Sequence, residues 1–277
     1  MKIAIVAPPW IPIPPPQYGG IEVVIYNLVE GLAELGHEVM LFALKDSKVS
    51  CKFYPYIESY FHFGMDSPDE QKTFVRELAL KYAYARAGYE NADIIHDHTL
   101  FNSSINIPTL HTLYSAASEG SVKQCESLSA DKKNYFVAVS KRQKERYLAL
   151  NRQLKFTGVV YHGINVKDIE WSRQKDDYFL CVGRASWEKG LDIVVKVAAK
   201  AKVGLIMAIK MADQNEKEFF EKDIAPLIER YPKNLLLQIF NEVERKTLFD
   251  LYRRAKCTLF TSQWEQPFGL VMIESMA

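Results

Sequence analysis

Two cations flank a polar loop in the second half of the chain. Arg184 and Lys189 stand between a predicted strand over 178–183 and a predicted helix over 191–202. Cations beside a helix N-terminus are unfavourable unless they and the free N–H groups hold an anion between them. The spacing therefore predicts an anion site, with a solvated loop that carries two ordinary surface charges as the alternative.

A second anion-binding pattern closes the chain over 261–277. A short apolar strand, 257–260, runs into a polar loop, and Pro267 and Gly269 mark the turn into a helix that carries Glu274. Free N–H groups at the start of such a helix suit a phosphate. A carboxylate one or two turns further along reaches sugar or ribose hydroxyls, so we predict a joint site for both groups.

Three histidines lie near predicted strand ends in the first half. His96 and His98 occupy alternate positions of strand 93–98 and share one side, but no third metal ligand is evident, so we expect no metal. His111 is predicted at the end of strand 107–113. The carboxyl edge of a parallel sheet is where ligands bind, which leaves a functional and a structural interpretation of His111 equally open.

A glycine pair opens the first helix. Strand 3–7, a Pro-rich loop, Gly19 and Gly20, a helix that stops at Gly36 and strand 37–43 predict a βαβ unit. The two glycines either permit an awkward turn or let the backbone approach a ligand. The loop is not a Gly-x-Gly-x-x-Gly fingerprint, so a nicotinamide enzyme has little support.

Strands and helices alternate along the whole chain, which predicts an α/β fold of two successive doubly wound, Rossmann-like domains. We place the first domain at 1–164, a polar linker at 165–177 and the second domain at 178–277. Ser140 is predicted to cap a helix over 141–150.

Composition limits the functional classes. The 277 residues balance 35 Lys+Arg against 34 Asp+Glu, so nothing indicates a nucleic-acid binder. No apolar run reaches the roughly 18 residues of a membrane span, which favours a cytoplasmic protein and leaves peripheral membrane contact open. No Cys-x-x-Cys pair occurs, and we expect Cys181 and Cys257 to be small buried hydrophobes.

Four motifs occur together in one order. They are Tyr18-Gly-Gly-Ile-Glu22, Gly36-His-Glu-Val39, Val182-Gly-Arg184 with Lys189-Gly-Leu-Asp192, and Glu265-Gln-Pro-Phe-Gly-Leu-Val-Met-Ile-Glu274. In combination they resemble the retaining GT-B glycosyltransferases of the glycosyl transferases group 1 type (family 4), over nearly the whole chain. The resemblance implies two domains that face a cleft, with the nucleotide-sugar donor mainly on the second and the acceptor mainly on the first.

The implied reaction moves a hexose from a UDP- or GDP-sugar to an acceptor hydroxyl, with retention and without a metal or other cofactor. Fixed cations and N–H groups would stabilise the leaving diphosphate in place of the metal. The implied catalytic residues are His111, Arg184, Lys189 and Gln266. The implied donor-binding residues are Gly19, Gly20, Arg184, Lys189, Phe268, Gly269, Leu270 and Glu274.

The sequence departs from the family pattern in three places. Gln266 stands where the family has the first Glu of an acidic pair, and an amide carries no charge for an oxocarbenium-like centre; Glu265 is one place earlier. Strand 205–210 lacks the glycine often found at its end. Relatives usually continue for tens of residues, so we expect the second domain to lack its last strands and helices.

Two other functions stay open at this point. One is a non-catalytic or split-enzyme subunit, in which a partner chain or a second copy covers the open sheet edge of the second domain. The other, less supported, is a nucleotide-sugar epimerase of the same fold. The acceptor, whether a glycan, a lipid or a small molecule, is not specified by the residues.

Overall fold

The computed structural model describes residues 1–56 and 69–277 and divides the chain into two compact units. The first unit comprises Met1–Pro15 and Gly19–Gly163, and the second comprises Pro16–Tyr18 and Ile164–Ala277. Each unit is built on a parallel sheet with helices on both faces, which confirms the α/β, doubly wound fold class. The functional domain limits at 164 and 177 remain a prediction.

The sheet of the first unit has a topological switch point. Its strands are β1 (Lys2–Val6), β2 (Glu38–Ala43), β3 (Lys52–Pro55), β4 (Ile94–Asp97), β5 (Thr109–Leu113), β6 (Asn134–Ala138) and β7 (Phe156–Val159). In the described residues the order is β3-β2-β1-β4-β5-β6-β7, and every pairing is parallel. The chain therefore reverses its winding between β1 and β4, and in such sheets ligands bind beyond the carboxyl ends of the strands near that point.

Local signals determine where the helices of the first unit begin and end. These helices are α1 (Gly20–Glu34), α2 (Asp69–Tyr89), α3 (Glu119–Ser129) and α4 (Lys141–Leu150). After α1, Gly36 has a φ of 82° and donates to Ala33 O, while the next N–H donates to Leu32 O, a Schellman ending that confirms the predicted stop. Ser140 Oγ accepts from Gln143 N at 3.1 Å, which confirms the predicted cap of α4.

The second unit repeats the plan with a smaller sheet. Its strands are β8 (Tyr178–Arg184), β9 (Gly204–Lys210), β10 (Leu237–Asn241) and β11 (Cys257–Thr258), in the order β10-β9-β8-β11 among the described residues. Its helices are α5 (Leu191–Ala201), α6 (Gln214–Phe219), α7 (Ala225–Glu229), α8 (Arg245–Arg254) and α9 (Leu270–Met276). A π-helical segment, Phe220–Ile224, joins α6 to α7.

Alternate residues of each strand enter separate cores. In the second unit, Cys181 and Met207 pack with Leu191 of α5, whereas Leu180 and Ile206 pack on the opposite face with Leu248 of α8. This period of two is what a strand buried on both faces requires. The first unit has the same division, with α1 and α2 on opposite faces of β1.

The prediction that Cys257 is buried is wrong. Cys181 is buried in β8, but Cys257 is exposed, and β11 is shorter than the predicted strand. In the described sheet β11 lies at the edge and pairs only with β8, so an apolar run there has a neighbour on one side only. Among the helices of residues 1–56 and 69–277, none combines the length and apolarity needed to cross a membrane. The cytoplasmic setting stays a prediction.

Candidate active site

The predicted anion loop lies at the carboxyl end of β8, and its arginine is already paired. Arg184 is the last residue of β8, and its Nη2 contacts the Glu188 carboxylate. Its Nη1 lies 3.8 Å from Oε1 of Glu216, a residue on α6. The guanidinium is therefore held among carboxylates within its own unit. The backbone register also pairs Arg184 with Lys210, the last residue of β9, which brings a further cation to the same edge.

Lys189 differs from Arg184 because, within the described part of the chain, no ion pair or hydrogen bond engages its Nζ. Burial lowers the pKa of Lys189, and the nearby positive charge of Arg184 lowers it further. Both effects disfavour the charged ammonium. An anion that binds here would offset them, so Lys189 is a cation prepared for a negative partner.

The two anion patterns of the sequence meet in space. Gly190 has a φ of 64°, and a Cβ on it would collide with the Thr261 carbonyl oxygen, so only glycine permits this approach. Thr261 Oγ1 donates to the Lys189 oxygen at 2.9 Å. Gln263 N donates to the Glu188 oxygen at 2.8 Å. The closing stretch of the chain is therefore fastened to the Arg184–Lys189 loop.

The terminal helix begins at Leu270 without a side-chain cap. Gly269 is its N-cap, and Phe268 precedes it, so the three residues predicted to bind the donor lie at this helix start. A Cβ on Gly269 would lie 2.7 Å from Met272 Cε, so packing also favours glycine there. Gln266 is partly buried, and its N–H donates to Trp264 O at 3.0 Å.

Glu274 is 4% exposed, and both of its oxygens have partners. Arg245 Nη2 donates to Oε1 at 2.9 Å, and Tyr252 Oη donates to Oε2 at 3.3 Å. The sequence analysis missed both partners, because they lie on α8 and nothing near Glu274 in the sequence points to them. Glu188 and Glu216 were also not predicted as partners of Arg184, although Glu188 lies only four residues after it in the sequence.

Several buried polar atoms of this region have no hydrogen-bond partner in the described residues. They are Ser186 Oγ, Glu216 Oε1 and Trp264 Nε1. Unsatisfied buried groups are rare in native proteins, and each one calls for an explanation such as a bound ion, water or ligand. All three belong to the segments that carry or contact the Arg184–Lys189 loop and the 261–264 loop.

Histidine and tyrosine rings cluster at the carboxyl edge of the first sheet. The rings of His96 and His98 stack at 4.3 Å, which confirms that they share one side. His98 Nδ1 lies 2.7 Å from Tyr114 Oη, and the Tyr114 ring stacks on His162 at 5.5 Å. Burial lowers the pKa of His96 and of His162 to about 4 and that of His98 well below its ordinary value, so these rings are neutral near pH 7. The sequence analysis did not assign Tyr114 or His162 to this edge.

His111 lies in the middle of β5, so its predicted place at the strand end is wrong. The side chain is fully buried; Nε2 donates to Asn134 Oδ1 at 3.0 Å, and Nδ1 lies 3.1 Å from Asp97 Oδ2. Burial acts to raise the pKa of Asp97, but His111 and the donors of Thr99 and the Phe101 N–H outweigh it and hold the pKa below its ordinary value. The predicted strand and β5 both end at Leu113, so the error lies in the place of His111 within the strand, two residues before that end. In this position His111 has no exposed atom for a ligand.

The glycine pair begins α1, as predicted. A Cβ on Gly19 would lie 2.6 Å from Pro15 Cβ, so tight packing of the loop already requires glycine there. Gly20 is the first residue of the helix. A role of Gly19 and Gly20 in donor binding stays a prediction. In residues 1–56 and 69–277 no cluster of three or more His, Cys, Asp or Glu side chains is arranged to hold a metal ion.

Comparison with known proteins identifies glycosyltransferases that are similar to this chain. The chain is 24% identical over 314 aligned residues to an uncharacterized glycosyltransferase of Methanocaldococcus jannaschii, with 100% of this chain and 78% of that protein covered. Among solved structures, HepE of Anabaena in complex with UDP-glucose has a TM-score of 0.71 at 17% identity, covering 100% of this chain and 78% of that one. A glycosyltransferase involved in avilamycin A biosynthesis has a TM-score of 0.70 at 20% identity, covering 99% and 76%.

The catalytic domain of starch synthase IV from Arabidopsis thaliana, bound to ADP and acarbose, has a TM-score of 0.70 at 14% identity, covering 100% of this chain and 81% of that one. These likenesses confirm the GT-B-like fold. Residues 18–168 match Glycosyltransferase Family 4, and residues 165–277 match Glycosyl transferases group 1. Since the first match alone spans more than half of the 277 residues, the chain belongs to glycosyltransferase family 4 and is a glycosyltransferase.

Proposed function

We propose that this chain transfers a hexose from a nucleoside-diphosphate sugar, carried by UDP or GDP, to an acceptor hydroxyl, with retention and without a metal ion. One observation carries the proposal. The Arg184–Lys189 loop is hydrogen-bonded to the 261–263 loop, which brings both cations beside the segment that leads into α9. The complexes of related folds with UDP-glucose and with ADP support a nucleotide donor. Retention rests on the family resemblance.

Arg184 and Lys189 are assigned to the diphosphate. Negative charge develops there as the sugar leaves, and fixed cations stabilise that charge without the reorganisation that water would need. The two positive charges are fixed on the protein and do the electrostatic work that a divalent cation does elsewhere. The N–H groups of Phe268, Gly269 and Leu270 are assigned to the same phosphates.

Glu274 is assigned to the ribose hydroxyls. A carboxylate offers about four lone-pair positions, and only two are used by Arg245 and Tyr252, so it still accepts from a hydroxyl group. Gln266 is assigned to a sugar hydroxyl, with which an amide forms a hydrogen bond without the charge of a carboxylate. The acceptor is assigned to the first unit, at the edge of His98, Tyr114 and His162, where neutral groups suit an uncharged hydroxyl.

The binding test is a thermal melt with UDP and with GDP. Ligand at ten times Kd stabilises the folded chain by about 1.4 kcal/mol, enough to raise the melting temperature by a few degrees. Arg184→Ala and Lys189→Ala remove the shift, while Lys222→Ala, which changes an exposed lysine paired with Glu218, keeps it. The proposal fails if neither nucleotide shifts the melt at millimolar concentration.

The reaction test uses donor sugars with either base and a panel of glycan, lipid and small-molecule acceptors. NMR of the product reports the anomeric configuration, which is that of the donor if the transfer is retaining. Activity that persists after exhaustive treatment with EDTA supports metal independence; activity that disappears and returns with a divalent ion refutes that part of the proposal.

A further inference from the structure

The guanidinium assigned to the diphosphate is occupied by a side chain of its own loop. Arg184 Nη2 contacts the Glu188 carboxylate, the closest ion pair that this side chain makes in the described residues. Lys189, one residue further along, has no such partner among them. Of the two cations of the loop, only Arg184 is paired, within the described chain, with a carboxylate that an incoming anion would have to replace.

Among the described residues, the backbone oxygen of Glu188 accepts two hydrogen bonds, whereas its carboxylate accepts one, from Arg184. Glu188 lies in the single 3-10 turn Trp187–Lys189. Its carbonyl oxygen accepts from Gln263 N at 2.8 Å and from Ser262 Oγ at 3.2 Å. Its carboxylate is 18% exposed and accepts a hydrogen bond from Arg184. Release of that one contact frees the side chain without unfolding the turn.

Glu216 is the opposite case. It is 4% exposed, and its Oε2 accepts from Ala212 N at 2.8 Å and, in the capping box of α6, from Asp213 N at 3.5 Å. Its Oε1 stays 3.8 Å from Arg184, too far for a hydrogen bond. This carboxylate is therefore a permanent counter-charge that keeps the guanidinium in place, whatever Glu188 does.

Charge balance shows what the arrangement implies for an anion. Glu188 and Glu216 offset the charges of Arg184 and Lys189, which leaves Lys210 as the further cation at this edge. A diphosphate that enters this cluster is attracted by the cations and repelled by the two carboxylates. With Glu188 moved away from the guanidinium, one positive charge and the donor fork of Arg184 become available to phosphate oxygens.

We propose that Glu188 holds the phosphate position on Arg184 in the ligand-free chain and that the donor diphosphate replaces it. Glu188 is then a residue that sets donor affinity: it competes with the incoming diphosphate, and by rebinding Arg184 it promotes release of the nucleotide product. The inference rests on the proposed function, because it takes Arg184 as a ligand of the diphosphate.

The test measures Kd for UDP and for GDP by isothermal titration calorimetry with the full chain. Glu188→Gln keeps the shape and removes the charge, and we expect it to bind the nucleotide roughly 2- to 5-fold more tightly, the range for loss of a partly exposed competing ion pair. Glu218→Gln is the matched control, because it neutralises an exposed carboxylate of α6 that is paired with Lys222. We expect it to leave Kd unchanged. Unchanged or weaker binding by Glu188→Gln overturns the inference.

A second variant covers the case in which Glu188→Gln fails to fold. Glu188→Asp keeps the charge but shortens the reach to Arg184, and we expect tighter binding than wild type here too; equal or weaker binding overturns the inference. Arg184→Ala separates this inference from the proposed function. If wild type binds no nucleotide, or Arg184→Ala binds as wild type does, the proposed function fails.

If Arg184→Ala weakens binding while Glu188→Gln does not tighten it, only the role of Glu188 fails. A double-variant cycle completes the design, with Lys189 left intact to retain measurable affinity at high nucleotide concentration. The gain from Glu188→Gln disappears in the Arg184→Ala background if the two side chains act through each other. A gain that persists there indicates general charge repulsion and overturns the proposed exchange.

Discussion

The carboxyl edges of the two sheets differ in the side chains that they carry. At the first edge, His96, His98 and His162 are kept neutral by burial, and Tyr114 hydrogen-bonds one of them. At the second edge, Arg184 contacts carboxylates, and Lys189 lies beside it without an ion pair among the described residues. Equivalent positions in a doubly wound plan thus carry a neutral, aromatic surface in one unit and a charged cluster in the other.

The difference is the basis of the proposed assignment of acceptor and donor to the two edges. A neutral imidazole or phenol exchanges hydrogen bonds with hydroxyl groups at little desolvation cost, whereas a buried cation gains most from an anion. A hydroxyl-bearing acceptor therefore suits the first edge, and a diphosphate suits the second. Both assignments follow from charge, so variants that change charge are the means to break the comparison.

The largest effect is expected from Lys189→Ala at the charged edge. Removing a cation that stabilises the leaving diphosphate lowers kcat by about 10²- to 10³-fold, because the interaction is strongest in the transition state. Steady-state kinetics with the best donor measure it. The exposed variant Lys222→Ala should retain wild-type kcat; an equal loss in both would assign the effect to overall charge instead of the site.

The second-largest effect is expected from acidification, which should lower the stability of the first edge. The pKa of His96 falls from 6.5 to about 4 on folding because of burial, so the unfolded chain binds a proton that the folded chain refuses. Stability is present in full above pH 6.5 and is lost as the pH falls towards 4, by about 2 to 3 kcal/mol for this residue. Hydrogen exchange of β4 and β5 at pH 7, 6 and 5 reports it locally.

The control for that measurement is His96→Gln, which cannot be protonated in this range. The pH dependence of stability in β4 and β5 should fall by the contribution of roughly one proton. A pH dependence identical to wild type contradicts the assignment of a depressed pKa to His96.

A buried charge pair at the second edge gives the third prediction. Arg245→Ala leaves the Glu274 carboxylate, 5% exposed, without its cation. The free energy of unfolding of the second unit should fall by about 1 to 3 kcal/mol, less than for a fully buried pair because Arg245 is partly exposed. Glu274→Gln added to Arg245→Ala should recover part of the loss in chemical denaturation, and no recovery argues against an unpaired charge as the cause.

Local signals made most of the fold predictable. Gly36 and Ser140 act through backbone groups within a few residues, so their positions alone placed the end of α1 and the start of α4 correctly. Cys257 shows the limit of this approach. Its apolar neighbours predict burial, but exposure depends on how many strands flank β11, a property of the sheet and not of the segment.

The candidate site was predictable in its cations and not in their partners. Arg184 and Lys189 were found because two positive charges beside a helix start are unusual in any sequence. Arg245 and Glu274 are 29 residues apart, and only the packing of α8 against α9 brings them together. His111 was placed at the strand end although two residues of β5 follow it, and its contact with Asp97 depends on the pairing of β5 with β4, which the segment alone does not specify.

The smallest expected effect tests whether hydrogen bonds alone hold the neutral edge. Thr112 Oγ1 lies 2.7 Å from His96 Nε2, and Thr112→Val removes the hydroxyl while it keeps the branched shape. The first unit should lose about 1 kcal/mol, the cost of an unsatisfied buried group, equally at low and high salt because no formal charge is involved. Thr73→Val on the exposed side of α2 is the matched control and should change stability little. Denaturation of both variants at 0.05 and 0.5 M salt decides the point, since a loss that shrinks with added salt would mean that His96 carries charge, and the contrast between the two edges would then be false.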